Sequence, residues 1–236
     1  STMVTIPSGS FTMGHASIPG AAPHTVVLPA FAIDRRETTN AEYQPCVAAG
    51  ECFEPSFLGD PLFNAPELPV VGVSYEDAQT FCRWRGKRLP TEAEWERAAR
   101  GPEGTLWPWG DRFVAGAANV AGDEDGAAHT APATAFRRGA SPEGVENLAG
   151  NVAEWVADSY GAKEAYPRRK GPDPRLDGTD GKARARGGSW ASDAENTRTP
   201  LRGERLPRDS RKWSIGFRCA GDLPAAGSPP PPAAAP

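Results

Sequence analysis

Glycine and proline fill more than a fifth of this chain, with 26 Gly and 25 Pro among 236 residues, where average usage is roughly 12%. Proline removes a backbone donor, and glycine lets the chain turn through positive φ. A chain punctuated this often cannot be built from long helices or continuous strands. It has to assemble its core from short elements and irregular loops, and something other than backbone ladders has to fix those loops. The length is enough to bury a sizeable core, in one large domain or two small ones.

Short strands are expected across residues 3–34, where β-prone runs flank a Pro-Ser-Gly turn. A helix is expected from Thr39 to Ala49, with Thr39 and Glu42 at capping-box spacing, Pro45 as an internal defect and Gly50 as its stop. A second opens at Ser74, with Asp77 three residues on, and ends at Gly86. A third starts at Pro90-Thr91, pairs Thr91 with Glu94, and turns Trp95 and Ala98 inward. Beyond Leu106 the periodicity fades. Strands are expected again at Ala185–Trp190 and Ile215–Ala220, with an Arg-rich excursion between them. The Pro/Ala-rich stretch 221–236 has the composition of a tail or linker.

The net charge of −4 argues against general nucleic-acid binding. No run of 18 apolar residues provides a transmembrane segment. Four cysteines, Cys46, Cys52, Cys82 and Cys219, form no CxxC, a pattern that suits disulfides better than zinc. Two bridges would favour an exported, periplasmic or extracellular, protein over a cytoplasmic one. The stretch Asn147–Trp155 (NLAGNVAEW) offers an amide oxygen, a carboxylate and a Gly turn rich in free carbonyls, which suits a hard cation such as calcium. The alternative is a turn in which Asn147 and Glu154 cap nearby backbone. The tryptophans spread through the later loops are either ligand-stacking platforms or buried pillars.

Several segments together, IPSGSFTMG from Ile6, ETTNAEY from Glu37, PVVGVS from Pro69, CRWRGKRLPTEAEWERAARG from Cys82, NLAGNVAEW from Asn147, RGGSW from Arg186 and GFRCA from Gly216, resemble the formylglycine-generating enzyme, or sulfatase-modifying factor, family. The resemblance runs over residues 1–220. It implies an α+β fold of the C-type-lectin-like kind, with short helices on twisted antiparallel sheets and extensive irregular loops. It implies two structural calcium sites. One maps onto Asn147, Gly150, Val152 and Glu154, the other onto Asn119, Val120, Asp125 and Ala127. It also implies a Cys82–Cys219 bridge, which leaves Cys46 and Cys52 to pair locally or stay reduced.

The active members of the family are expected to hold Cu(I) on two cysteines that follow the RGGS segment, since Cu(I) calls for soft thiolates. The matching positions here are Ser192 and Thr197. No formylglycine-generating activity is therefore expected, and no copper. Iron is not expected either, because His15, His24 and His129 are scattered and each has the look of a surface residue. What remains is the loop 189–213 over the family's groove, with Trp190, Asp193, Glu195, Asn196, Arg198, Arg202, Arg205, Arg208, Arg211 and Trp213. These residue types are enriched at binding hot spots. The competing reading pairs the arginines with Asp193, Glu204 and Asp209 on a solvated surface. A non-catalytic module that binds a protein or small-molecule ligand through this loop, with Trp107–Trp109 nearby, leads. An oxidoreductase using a different residue set and a sensory or targeting domain of a larger protein are the alternatives.

Overall fold

The computed structural model describes residues 2–122, 125–158 and 181–223. The first four strands, β1 (Met3–Ile6), β2 (Gly9–Met13), β3 (His24–Leu28) and β4 (Phe31–Asp34), fall where β-prone runs alternate with turns. β2 and β3 form a hairpin, while β1 pairs antiparallel with β4. The last strand, β9 (Ala220–Asp222), returns to pair with the other edge of β4, giving the order β1-β4-β9. Both ends of the described chain thus meet in one sheet. Strand pairing also runs past the boundary expected at residue 220. The tail lies outside the described residues from position 224, as does the span 159–180.

Three short helices follow the capping chemistry of the sequence. α1 (Asn40–Ala48), α2 (Tyr75–Trp84) and α3 (Glu92–Arg100) each start with a complete capping box, at Thr39/Glu42, Ser74/Asp77 and Thr91/Glu94. α1 runs through Pro45 instead of ending at it. Its first two backbone donors, on Asn40 and Ala41, reach across to the Leu68 and Pro66 carbonyls. The Asn40 amide donates to the Phe63 and Ala65 carbonyls at 2.7 and 3.0 Å. Tertiary bonds thus hold the helix where propensity alone would not.

The second sheet combines β5 (Ala153–Val156), β6 (Lys182–Arg186), β7 (Arg205–Pro207) and β8 (Ile215–Gly216) in the order β7-β6-β5-β8. Two expectations change here. The strand anticipated at Ala185–Trp190 lies earlier and ends at Arg186, because Gly187 and Gly188 turn at φ 93° and 69°. The run Ile215–Ala220 divides between two sheets, β8 pairing parallel with β5 and Ala220 pairing with β4. Two apolar clusters lie on either side of this framework. One packs β1–β4 against Ala93, Trp95, Ala98 and Leu148, and the other packs α1 and α2 against Trp155, Ala185 and Phe217.

All four cysteines are bridged. Cys46–Cys52 closes a loop at the end of α1. Cys82–Cys219 ties α2 to the chain just before β9 across 137 residues of sequence. In the chain-entropy model a closure that long is worth about 4 kcal/mol.

Candidate functional site

The two loops expected to hold cations are built against each other. Asn147 and Asn151 both adopt φ 57°, and Gly150 between them adopts φ 77°. Gly150 has no alternative, since a Cβ there would lie 2.1 Å from the Asn119 carbonyl oxygen. That carbonyl accepts from the Asn151 amide N–H at 2.8 Å, and the Asn119 side chain donates to Asn151 Oδ1 at 3.1 Å. Beneath them sits Glu37, fully buried, accepting from Asn147 Nδ2 at 2.9 Å and Asn151 Nδ2 at 3.0 Å. Burial pushes its carboxyl up to about 8, against the opposing pull of Arg218. Nothing in the sequence pattern singled out Glu37 beyond its place in ETTNAEY.

The two sets of expected ligands differ in what they offer a cation. Asn119 is buried, and its Oδ1 has no hydrogen-bond partner. Asp125, on the same loop, accepts from the Val120 and Ala127 amides at 2.8 and 2.9 Å. An orphaned buried amide oxygen, with a carboxylate on the same loop, fits a hard, oxygen-seeking ion. In the other set the Glu154 carboxylate is already engaged. Arg218 forks onto it at 2.7 and 2.6 Å, and Trp95 Nε1 donates to it at 2.8 Å. That loop has its carbonyls and the Asn147 amide left to offer.

Ser192 and Thr197, the positions that the resemblance assigns to thiols, carry hydroxyls tied into local turns. Ser192 Oγ accepts from the Ser189 amide at 3.0 Å. Thr197 is fully buried, donates to the Ala194 carbonyl at 2.7 Å and accepts from Trp107 Nε1 at 3.2 Å. Trp107 therefore lies against the 189–213 loop, as expected, but as a buried pillar.

That loop is split in two. Trp190 and Trp213 come together with ring centroids 4.7 Å apart, and Trp213 is 40% exposed. Trp190 also packs 4.9 Å from His129 and 6.5 Å from Phe63. Its own Nε1–H is buried without a partner. His129 is thus part of an aromatic stack and not the isolated surface residue expected. Asp193, Glu195 and Asn196 are exposed around the short turn at Ala194–Thr197.

The arginines find partners beyond Asp193, Glu204 and Asp209. Arg202 turns inward onto Glu92 at 3.2 Å, and Arg198 pairs with Glu195. Arg211 pairs with Asp77 and Arg208 lies over the Tyr75 ring, while Arg205 is half-buried. Every residue of α3 is buried, Glu92, Glu94 and Glu96 included. Arg186 bridges Glu92 and Glu96 at 2.7 Å each and stacks on Trp95. The sequence did carry a signal for this, since Glu92 and Glu96 stand i, i+4 on one face and the arginines of the second sheet repeat at 184 and 186.

Residues 1–223 match the sulfatase-modifying factor enzyme 1-like domain. The chain belongs to that family. It is 33% identical to a formylglycine-generating enzyme of Streptomyces coelicolor over 93% of this chain and 88% of that one. It is 38% identical to a protein named inactive C-alpha-formylglycine-generating enzyme 2 from Bos taurus, over 75% of this chain and 57% of that one. It is 31% identical to a hercynine oxygenase of Mycolicibacterium thermoresistibile over 85% of this chain and 52% of that one. Among solved structures, PvdO from Pseudomonas aeruginosa superposes with a TM-score of 0.79 at 27% identity, covering 94% of each chain. The sulfatase-modifying factor fold is α+β and C-type-lectin-like, and this chain has its short helices and mostly antiparallel sheets, with β5–β8 the parallel exception. Among the described residues no helix is long and apolar enough to cross a membrane.

Proposed function

We propose that this chain is a non-catalytic, calcium-stabilised binding module of the sulfatase-modifying factor family, taking its ligand or protein partner on the Trp190–Trp213 face of the 189–213 loop. The observation that carries this is the state of sulfur. Each of the four cysteines is in a disulfide, and the positions that the family resemblance assigns to thiols are Ser192 and a sealed Thr197. A hydroxyl does not replace a thiolate toward Cu(I). The similarity to a relative named inactive supports the same reading. Calcium is assigned first to Asn119 and Asp125, where the orphaned Oδ1 gives it a reason to bind, and second to the carbonyls of the 147–154 loop. The two disulfides favour an exported protein.

An oxidoreductase built on other residues is the second reading, favoured by the similarity to the Streptomyces enzyme and to hercynine oxygenase. Metal analysis separates the two. After exposure to calcium, Cu(I) and Fe(II) and exhaustive dialysis, the protein is expected to retain about one to two calcium ions per chain and no stoichiometric transition metal. One equivalent of copper or iron would favour the oxidoreductase.

A further inference from the structure

The loop that bears Asn119 and Asp125 touches the aromatic stack by three short routes. Asn119 Nδ2 donates to the His129 carbonyl at 2.8 Å, and the His129 ring lies 4.9 Å from Trp190 and 6.2 Å from Phe63. The Ala121 amide donates to the Ser192 carbonyl at 2.9 Å, two residues beyond Trp190. The Asn119 carbonyl accepts from the Asn151 amide, and the Asn151 carbonyl in turn accepts from the Trp190 amide at 2.9 Å. A displacement of Asn119 therefore reaches Trp190 through a single intervening residue, and one of His129 reaches it directly. Trp190 passes it on to the half-open Trp213 ring.

The energetics favour such coupling. Without an ion, Val120 and Ala127 are held by their amide bonds to Asp125, and the buried Asn119 Oδ1 goes unsatisfied. An ion drawing Asn119, Val120, Asp125 and Ala127 to one centre removes that deficit and fixes both ends of the loop. On the ligand side, an indole pair with one orphaned Nε1–H is not fully satisfied by the protein either. Two sites that share one structural element bias each other's equilibria reciprocally.

We infer that cation occupancy at the Asn119–Asp125 loop sets the orientation of the Trp190–Trp213 pair through His129, so that the ligand face is formed when the cation is bound. This rests on the calcium assignment proposed above and adds to it a regulatory role for the ion. His129 is a positioning residue here. Its ring couples the loop to the platform, and its carbonyl, which the ring does not influence, holds Asn119.

The test uses the full chain labelled with 5-fluorotryptophan, with the 19F resonances of Trp190 and Trp213 assigned by Trp190→Phe and Trp213→Phe. Calcium chloride is titrated into chelator-treated protein, with calorimetry in parallel. Calcium is expected to bind and to move or sharpen the Trp190 and Trp213 resonances, while that of Trp84, at the end of α2, stays in place. His129→Ala is expected to bind calcium within about threefold of the parent yet to show a clearly reduced Trp190 and Trp213 response, the backbone routes through Asn151 and Ser192 carrying the rest. Asp125→Asn is expected to lose both binding and response. Calcium binding with unchanged Trp190 and Trp213 signals, or a full response in His129→Ala, would overturn the coupling and leave the calcium assignment standing. No calcium binding in the parent protein would overturn both.

Discussion

Replacing Glu92 with alanine is expected to destabilise the domain by about 3–5 kcal/mol, the range for breaking a buried ion pair on one side. Glu92 is completely buried at the start of α3, where Arg186 meets it at 2.7 Å, Arg202 at 3.2 Å and Arg184 at 3.6 Å. Its loss leaves Arg186 with Glu96 alone as a carboxylate partner, and the other Glu96 oxygen already serves Arg100 and the Gly14 amide. The cluster fastens α3 to β6 and to the loop after Thr197, so the damage would spread to the proposed ligand face. Burial alone would raise the Glu92 carboxyl, but Arg186, then Arg202 and Arg184, bring it below its ordinary value. A carboxyl depressed in the folded state stabilises the fold above its unfolded pKa, and that contribution fades as the pH falls through the folded value. The parent protein should therefore lose stability in acid below the usual carboxylate range, and Glu92→Ala should show a shallower acid dependence. Urea unfolding at neutral and acidic pH checks both, and a loss under 1 kcal/mol with an unchanged pH profile would contradict them.

Arg218→Met is expected to be of similar size, about 3–5 kcal/mol, for the mirror-image reason. Arg218 is fully buried. It forks onto Glu154 and donates to the carbonyls of Asp34, Arg35 and Glu146 at 3.1, 3.1 and 2.8 Å. It joins β5, the end of β4 and the loop leading to Asn147. Glu37 and Glu154 already oppose each other, and Arg218 is the cation that offsets them. Arg218→Lys should recover only part of the loss, because a point charge cannot reproduce five directed donors. Melting curves of the three proteins check the order, and a Met variant as stable as the parent would contradict it.

The local chemistry of this fold was legible in the sequence. Three capping boxes gave three helix starts, and the resemblance gave the architecture and the Cys82–Cys219 link. The buried charge was not legible. EAEWERAAR has the composition of a solvated helix, and its complete burial depends on Arg186 arriving from β6 to join the nearby Arg88 and the helix's own Arg100. The same holds for one arginine of the 189–213 loop. Arg202 belongs to α3, which lies 110 positions away in sequence. The aromatic part of the ligand face was half visible. Trp190 and Trp213 were marked, but Phe63 and His129 reach them through loops without a periodic pattern to follow.

Incubating the protein with Cu(I), oxygen and a thiol peptide, and reading the peptide's mass, tests most directly whether this scaffold has chemistry of its own. The peptide is expected to keep its thiol, with no conversion to the aldehyde above a protein-free control, since Ser192 and Thr197 present no thiolate. Copper-dependent turnover that is lost on changing Ser192 or Thr197 to alanine would contradict the binding-module reading.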